Sequence, residues 1–296
     1  MALVTETLFG VEDKVANSIE ALRTFEPPEG YYVAFSGGKD SIVVKKLCDM
    51  AGVKYDAHYS VTSVDPPELV QFIKEYHPDV SRDIPHDADG KPITMWNLIP
   101  RKLMPPTRLV RYCCQALKEG NGRGRFIITG VRWAESVRRS LDRALVEVGP
   151  TKATARRFLN NDNDEARQFA ESCYKQKKTI LNPIINWEDE DVWEFIHEYD
   201  VPYCKLYDKG FKRLGCIGCP MNVVEGDRNL DRYPKYKEAY LRAFDRMIQE
   251  RKRRGLESDT FTSPEKVMDW WLHKLPQNDD MLEGQIEMEF EEDDDD

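Results

Sequence analysis

Short apolar runs alternate with amphipathic segments through the first half of the chain. Tyr31–Phe35 is apolar and rich in β-prone residues, which predicts a buried strand, and Ile42–Ala51 has the apolar spacing of a helix. The alternation continues with a strand at Tyr55–Val61, a helix at Pro66–Tyr76 and a strand at Phe126–Thr129. This order predicts an α/β fold with a doubly wound, mostly parallel sheet flanked by helices.

Helical patterns surround this α/β region. The apolar spacing of residues 11–25 predicts an N-terminal helix, and Thr179–Ile185 and Trp187–Tyr199 predict a further strand and helix. Residues 150–178 are polar and basic, which favours a long loop or an irregular helical insertion. We therefore expect four parts: an N-terminal helix in 1–29, an α/β domain in 30–222, helices at Pro234–Arg254 and Pro264–Lys274 within 223–278, and a tail in 279–296.

Charge is distributed unevenly along the 296 residues. The formal net charge is −10, yet residues 279–296 hold 11 acidic side chains and no basic ones, so the other 278 residues sum to +1. Such an acidic block self-repels and is expected to be disordered. Its few apolar residues leave docking onto a protein partner as an alternative.

Residues 101–157 have the opposite charge balance. They contain 14 Lys and Arg side chains against 4 acidic ones. A solvated basic face is the simplest interpretation, and a surface for nucleotide phosphates or a nucleic-acid backbone is the functional one.

The location of the protein is also suggested by the sequence. No run of 18 apolar residues is present, so a transmembrane helix and a membrane partner are not expected. The first residues lack the pattern of a signal peptide, and the seven cysteines are too few and odd in number for a disulfide scaffold. We expect a cytoplasmic protein in a reducing environment.

The hexapeptide Ser36–Ser41 (SGGKDS) lies between the first predicted strand and its helix. Two glycines allow main-chain N–H groups to approach an anion closely, and the start of a helix favours phosphate. Hydroxyl groups and a lysine add further donors. The loop is neither a Walker A sequence nor a dinucleotide fingerprint. An ordinary Gly-Gly turn is the alternative; the candidate phosphate-binding residues are Ser36, Gly37, Gly38, Lys39, Asp40 and Ser41.

Asp40 is unusual in an anion site because a carboxylate repels phosphate. Two roles would account for it: the side chain caps the following helix, or it holds Mg²⁺ against the phosphates. We favour the Mg²⁺ role, since a hard divalent cation prefers carboxylate oxygen and turns the repulsion into a bridge.

Four cysteines form two pairs, Cys113-Cys114 and Cys216-x-x-Cys219. A Cys-x-x-Cys turn presents two thiolates to one metal or cluster, and four thiolates suit a [4Fe–4S] cluster or a structural zinc ion. Adjacent cysteines fit a zinc site less well, so we expect the cluster. Free thiols, including a redox-active Cys216–Cys219 disulfide, remain the third interpretation.

The order of these motifs resembles a known family. The hexapeptide resembles the PP-loop of the ATP-pyrophosphatase superfamily, which splits ATP into AMP and pyrophosphate, usually to adenylylate a substrate. Together with residues 62–68, 130–136, 182–193 and 202–216, it resembles the phosphoadenosine phosphosulfate (PAPS) reductase family over residues 30–222. The resemblance implies an adenine nucleotide α-hydrolase-like fold, with Gly130 and Arg132 beside the nucleotide and Arg138 or Arg139 near its phosphates.

The resemblance also bears on the reaction. The order Cys-Cys…Cys-x-x-Cys is the cluster pattern of adenylyl-sulfate reductases within this family, but family reductases use a further cysteine near the C-terminus, and none follows Cys219. The chain is similar in style to sulfur-transfer proteins of DNA phosphorothioation and to cluster-bearing tRNA thiolases. We therefore expect ATP cleavage with Mg²⁺, with Lys39, Asp40 and Arg132 as catalytic residues. The alternatives are a sulfonucleotide reductase and a non-catalytic nucleotide-binding subunit.

Overall fold

The structure is a computed structural model that describes residues 3–7, 10–122, 124–135, 143–148, 179–221 and 229–274. Two strands form an N-terminal hairpin and six form the central sheet. In chain order they are β1 (Val4–Thr7), β2 (Gly10–Asp13), β3 (Tyr31–Ala34), β4 (Tyr55–Ser60), β5 (Ser81–Asp83), β6 (Phe126–Ile128), β7 (Val146–Val148) and β8 (Thr179–Leu181).

The central sheet has the strand order β5-β4-β3-β6-β8-β7. Its pairs are parallel except for β7, which runs antiparallel to β8 at one edge. This arrangement confirms the predicted doubly wound, mostly parallel sheet. The strand order reverses at β3, because the chain continues to β4 on one side and later to β6 on the other.

Helices surround the sheet and form the C-terminal region, as expected. The helix Tyr112–Cys114 continues into a π-helical turn at Gln115–Glu119, and the last helix continues into a second π-helical turn at Trp270–Lys274. In chain order the α-helices are α1 (Lys14–Thr24), α2 (Lys39–Ala51), α3 (Pro67–Tyr76), α4 (Met95–Lys102), α5 (Tyr112–Cys114), α6 (Asp189–Glu198), α7 (Pro234–Arg253) and α8 (Pro264–Asp269).

The N-terminal helix is shorter than predicted. It begins at Lys14 rather than at residue 11, because Gly10–Asp13 pairs with Val4–Thr7 and the Asp13 carboxylate accepts a hydrogen bond of 2.9 Å from the Ala16 backbone N–H. An aspartate at this N-cap position fixes the start of the helix.

Alternate residues of the central strands face opposite sides of the sheet. Val33, Ile128 and Leu181 belong to the main core with the buried faces of the helices. Tyr32, Ile127 and Ile180 occupy neighbouring register positions and form a second apolar cluster on the other face. A fully buried aliphatic side chain contributes about 1.5–3 kcal/mol, so burial on both faces holds these short strands in register.

Several predictions concern residues outside the described ranges: Arg138, Arg139, the segment 150–178 and the acidic tail 279–296. Within the ranges that are described, no helix combines the length and apolar character needed to cross a membrane.

Candidate functional site: a phosphate-binding loop and a thiol cluster

The loop Ser36–Ser41 connects β3 to α2 at the carboxyl end of the central strand. Gly37 has φ = +74°, and a Cβ atom there would lie 2.8 Å from Leu69 Cδ1 and 2.9 Å from Ile73 Cδ1 of α3. Glycine is thus required both for the left-handed backbone and for the close packing of α3.

Hydroxyl groups hold the loop in a tight turn. The Ser41 hydroxyl donates to the Gly38 carbonyl oxygen at 2.8 Å, and the Ser36 backbone N–H donates to Ser41 Oγ at 3.3 Å. The Lys39 backbone N–H, the first of α2, donates to the Tyr207 hydroxyl at 2.9 Å. The loop therefore places backbone amides and hydroxyls at the positive end of a 13-residue helix, which favours an anion.

Four charged side chains meet beside this loop. Arg132 is only 1% exposed; its Nε donates to Asp40 Oδ1 at 2.7 Å and its Nη2 to Asp189 Oδ1 at 2.5 Å. Lys39 Nζ lies 3.0 Å from Asp189 Oδ1 and 3.4 Å from Asp40 Oδ1. Each cation is thus shared by the same two carboxylates. We call Lys39, Asp40, Arg132 and Asp189 the charge network.

Charge pairing outweighs burial in this network. Burial lowers the pKa of Arg132, but Asp40 and Asp189 raise it above its ordinary value overall. Burial likewise raises the pKa of Asp189, while hydrogen bonds from Lys39 and Arg132 lower it below its ordinary value overall. The guanidinium and the carboxylate therefore both stay charged at neutral pH.

The structure distinguishes the two roles considered for Asp40. Helix α2 begins at Lys39 with Gly38 as its N-cap and without a side-chain cap, and the Asp40 carboxylate instead accepts from Arg132 and Lys39. The capping role is wrong. The Mg²⁺ role stays a prediction.

Gly130 lies where the predicted motif places it, directly after β6. A Cβ atom at this position would lie 3.0 Å from the carbonyl carbon and the Cβ of Asp40. The missing side chain lets the β6 loop approach the start of α2 closely, which brings Arg132 against Asp40. The structure thus joins Lys39, Asp40, Gly130 and Arg132 at one edge of the sheet, as the order of the motifs predicts.

The four predicted cysteine ligands lie near one another at a second site, which we call the thiol cluster. All four are free, partly exposed thiols. Cys113 is electrostatically coupled to Cys114, Cys216 and Cys219, although it is about 100 residues distant in sequence from the last two. The fold therefore unites the two cysteine pairs.

Backbone contacts fix the loop that carries Cys216 and Cys219. The Ile217 N–H donates to the Val64 carbonyl at 2.8 Å, and the Tyr240 hydroxyl donates to the Ile217 carbonyl at 2.9 Å. Gly218 has φ = +74°, and a Cβ there would lie within 3 Å of Trp271 and Tyr240 side-chain atoms. Helix α7 and the segment after α8 therefore hold this turn.

Cations face the thiols. Arg111 Nη2 lies 3.4 Å from Cys114 Sγ, and the pKa of the solvent-exposed Lys118 is raised by Cys216 and by neighbouring acidic groups. A hydrogen bond from Cys113 and then these cations lower the pKa of Cys114, whereas burial raises the pKa of Cys216 to about 11. One thiol of the adjacent pair is thus a thiolate near neutral pH.

The donor set fits a thiolate-bound cluster in chemistry. All four thiols are free, and two nearby cations would offset part of the negative charge that four thiolates would bring. Among the described side chains, no three His, Cys, Asp or Glu residues are arranged as ligands of a single metal ion. The cluster and the zinc ion both stay predictions.

The described part of the basic stretch 101–157 has basic side chains with differing partners. Eight of its fourteen basic residues lie in described ranges, and they serve different contacts. Arg132 belongs to the charge network, Arg125 pairs with Asp56 at 2.8 Å, and Arg143 pairs with Glu147 at 2.9 Å. The nucleic-acid surface stays a prediction.

Sequence patterns did not single out two residues of the loop site. Asp189 lies 150 positions from Lys39, in a run of four acidic residues that a helix N-terminus accommodates equally well. Tyr207 lies 168 positions from the loop amide that it contacts, and it packs edge-on against Trp193 at a ring-centroid distance of 5.1 Å. Both residues could be identified as part of the site only from the structure.

Comparisons with known proteins identify a family and several similar proteins. The family model of the phosphoadenosine phosphosulfate reductase domain matches residues 30–222. Two uncharacterized proteins of Methanocaldococcus jannaschii are 27% and 24% identical over 76% and 70% of this chain, which spans 48% and 40% of their lengths. The chain therefore spans less than half of each of these relatives.

Other relatives are reductases. The adenosine 5'-phosphosulfate reductase of Shouchella clausii is 23% identical over 72% of this chain and 81% of its own length. Among solved structures, a phosphoadenylyl-sulfate reductase from Candida auris matches with a TM-score of 0.45 at 18% identity, covering 68% of this chain and 88% of that one. An NMN synthetase from Francisella tularensis matches with a TM-score of 0.36 at 14% identity, covering 90% and 96%.

Proposed function

Because the chain belongs to the phosphoadenosine phosphosulfate reductase domain family, we propose that it is an enzyme of the PP-loop type that binds ATP with Mg²⁺. In this proposal it cleaves ATP to AMP and pyrophosphate while adenylylating an acceptor, in sulfur-transfer or nucleic-acid modification chemistry. ATP cleavage and the choice of acceptor go beyond the family match, since the chain's relatives include adenosine 5'-phosphosulfate reductases.

One observation carries the proposal: two buried cations converge on the phosphate-binding loop at the switch point of the sheet. Lys39 follows β3 and Arg132 follows the neighbouring strand β6, and both side chains contact the carboxylates of Asp40 and Asp189. Ligands of open α/β sheets bind at this place, outside the carboxyl ends of the strands. A triphosphate laid along the loop would meet backbone amides, hydroxyls and both cations.

The reaction follows from these groups. An acceptor oxygen attacks the α-phosphorus; as the new P–O bond forms, the bond to the α,β-bridging oxygen breaks and pyrophosphate leaves with that electron pair. Lys39 and Arg132 stabilise the negative charge on the phosphate oxygens, and Asp40 holds the Mg²⁺ that accompanies ATP. Gly130 keeps Arg132 close to the start of α2.

We also propose that Cys113, Cys114, Cys216 and Cys219 hold a [4Fe–4S] cluster. Bound there, it would supply one-electron chemistry or a rigid link between α5 and the loop before α7. Arg111 and Lys118 would offset the charge of the thiolates.

A groove between α4 and α7 supports a phosphate-bearing acceptor. It has a volume of about 420 Å³, and four of its lining residues are exposed arginines, with Glu250 as the acidic member. Arg101 pairs with Asp87 at 3.0 Å, and Arg253 and Arg254 both pair with Glu250, so the four arginines leave an excess of two positive charges. A nucleic-acid backbone would compete with these carboxylates and gain affinity by releasing counterions. The arginines are Arg101, Arg246, Arg253 and Arg254.

Sulfonucleotide reduction is the second candidate, and one observation favours it. The pKa of Cys114 is lowered by a hydrogen bond from Cys113 and by nearby cations, so this thiolate is available as a nucleophile. A reductase of this kind would release sulfite when a thiol reductant is supplied.

The test is to incubate anaerobically purified protein with Mg²⁺ and either ATP or PAPS, with an acceptor nucleic acid present, and to identify the products by chromatography. We expect AMP and pyrophosphate from ATP, lost in Lys39→Ala, and a lost turnover with altered Mg²⁺ dependence in Asp40→Asn. Sulfite from PAPS without AMP from ATP would support the reductase instead.

A further inference from the structure

Asp189 is the solvent-facing member of the charge network. Its side chain is 59% exposed, whereas those of Lys39 and Arg132 are 7% and 2% exposed. Its single Oδ1 atom lies 3.0 Å from Lys39 Nζ and 2.5 Å from Arg132 Nη2. A phosphate oxygen that bridges both cations from the solvent side would therefore compete with this carboxylate oxygen.

Asp189 does not serve as the cap of its own helix. The N-cap of α6 is Glu188, and the capping box is completed by Asp191, whose carboxylate accepts from the Glu188 N–H at 2.7 Å. A charge near the helix N-terminus is favourable, but Glu190 on the same turn supplies that as well. The contacts with Lys39 and Arg132 are thus what distinguishes Asp189 from its acidic neighbours.

The formal charges of the network cancel, since two cations face two carboxylates. A bare polyphosphate entering this neutral site is repelled by Asp40 and Asp189 and competes with Asp189 for both cations. A divalent cation on the phosphates removes two negative charges and attracts the displaced carboxylate. The neutral balance therefore favours a metal-complexed phosphate chain over a bare anion.

We infer that Asp189 is a specificity-determining counter-ion, which competes with phosphates for Lys39 and Arg132 and makes the site select metal-complexed nucleotides over bare anionic ones. This inference rests on the proposed function, because it concerns the same loop. If Asp189 competes with the ligand, replacing it strengthens the binding of a bare anion. Replacing a residue that contacts the ligand would weaken that binding.

The experiment is calorimetric titration with inorganic pyrophosphate, first in EDTA and then with excess Mg²⁺. The variants are Asp189→Asn and, as a matched control, Glu190→Gln, which removes the same charge from the same exposed helical turn. Asp189→Ala serves as a second variant that cannot hydrogen-bond to either cation. Equal thermal melting temperatures would establish that all four proteins are folded.

We expect both Asp189 variants to bind pyrophosphate in EDTA about tenfold tighter than the wild type, an amount typical of one removed charge clash. Mg²⁺ should then improve binding by the wild type and Glu190→Gln more than by the Asp189 variants. Unchanged or weaker binding in EDTA would overturn the inference while leaving the proposed function intact. A wild type that binds neither pyrophosphate nor ATP at any Mg²⁺ concentration would overturn both.

Discussion

The charge network and the thiol cluster differ in how their cations are neutralised. In the charge network, buried Lys39 and Arg132 are matched by carboxylates of the chain itself. In the thiol cluster, the exposed Lys118 and Arg111 face cysteines, whose charge depends on pH, oxidation and bound metal. The charges of the first region therefore balance within the folded chain, whereas the charge of the second region changes as its thiols ionise or bind a metal.

The largest expected effect concerns the thiol cluster. We expect anaerobically purified wild type to be brown, with broad absorbance near 400 nm and about four irons per chain, because four thiolates suit a [4Fe–4S] cluster. Cys216→Ser should remove most of the iron, while Cys173→Ser, which changes a cysteine outside the predicted ligand set, should keep it. Stoichiometric zinc without iron would contradict this prediction.

Breaking the charge network should cost both binding and stability. Arg132→Ala leaves Asp40 and Asp189 with Lys39 as their one remaining shared cation. We therefore expect at least tenfold weaker ATP binding and a loss of about 2–3 kcal/mol in the free energy of unfolding, reduced from the fully buried case because Asp189 is exposed. Arg132→Lys keeps the charge but not the paired hydrogen-bond geometry, so its ATP affinity and stability should lie between those of the wild type and Arg132→Ala. Denaturant titration measures the stability; a variant as stable as the wild type would show that the pairing contributes nothing.

The loop glycines offer a matched pair. Gly37→Ala forces a Cβ into a left-handed backbone and to within 2.9 Å of α3 side chains, so we expect a loss of about 2–3 kcal/mol. At Gly38 a Cβ would make contacts of 3.5 Å, and its alanine variant should keep its stability within about 0.5 kcal/mol while binding ATP more weakly. Equal stability losses would contradict this account of the loop.

His77 sharpens the comparison because it is a buried basic group packed between aromatic rings, 4.8 Å from Phe35 and 5.3 Å from Phe72. Burial, and then Lys45, lowers its pKa from 6.5 to about 4. Between these values the unfolded chain binds a proton that the folded chain excludes. The stability that the folded protein gains from neutral His77 is therefore complete above pH 6.5 and is lost as the pH falls toward 4.

We expect this loss to be about 3 kcal/mol by pH 4. His77→Gln should flatten the decline of unfolding free energy between pH 6.5 and 4.5, whereas replacing the exposed His273 with glutamine should not. Parallel curves for wild type and His77→Gln would show that His77 takes up its proton normally in the folded protein.

The sequence predicted those parts of the fold that carry a long apolar pattern. The central strands and helices α2, α3, α6 and α7 fall within a few residues of their expected bounds, because their buried positions repeat with strand or helix spacing. The edge strands β5 (Ser81–Asp83) and β7 (Val146–Val148) were not predicted, since three residues with charged members give no periodic signal. Pro100 within α4 similarly masked that helix.

The residues of the loop site likewise fall into those that the sequence predicted and those that it did not. Lys39, Asp40, Gly130 and Arg132 could be chosen because motifs mark them and parallel strands bring their carboxyl ends to one edge. Asp189 and Tyr207 could not, since their importance arises from single contacts between distant segments. Whether a carboxylate neutralises or repels a ligand is decided by such contacts, which local patterns do not encode.

The central claim is that the loop site directs attack at the α-phosphorus of ATP, and ³¹P NMR of the reaction mixture tests it most directly. With Mg²⁺, ATP and an acceptor nucleic acid, the wild type is expected to give resonances of AMP, free or attached to the acceptor, together with pyrophosphate, and Lys39→Ala to give neither. Formation of ADP and inorganic phosphate, or an unchanged ATP spectrum alongside sulfite released from PAPS, would contradict the claim.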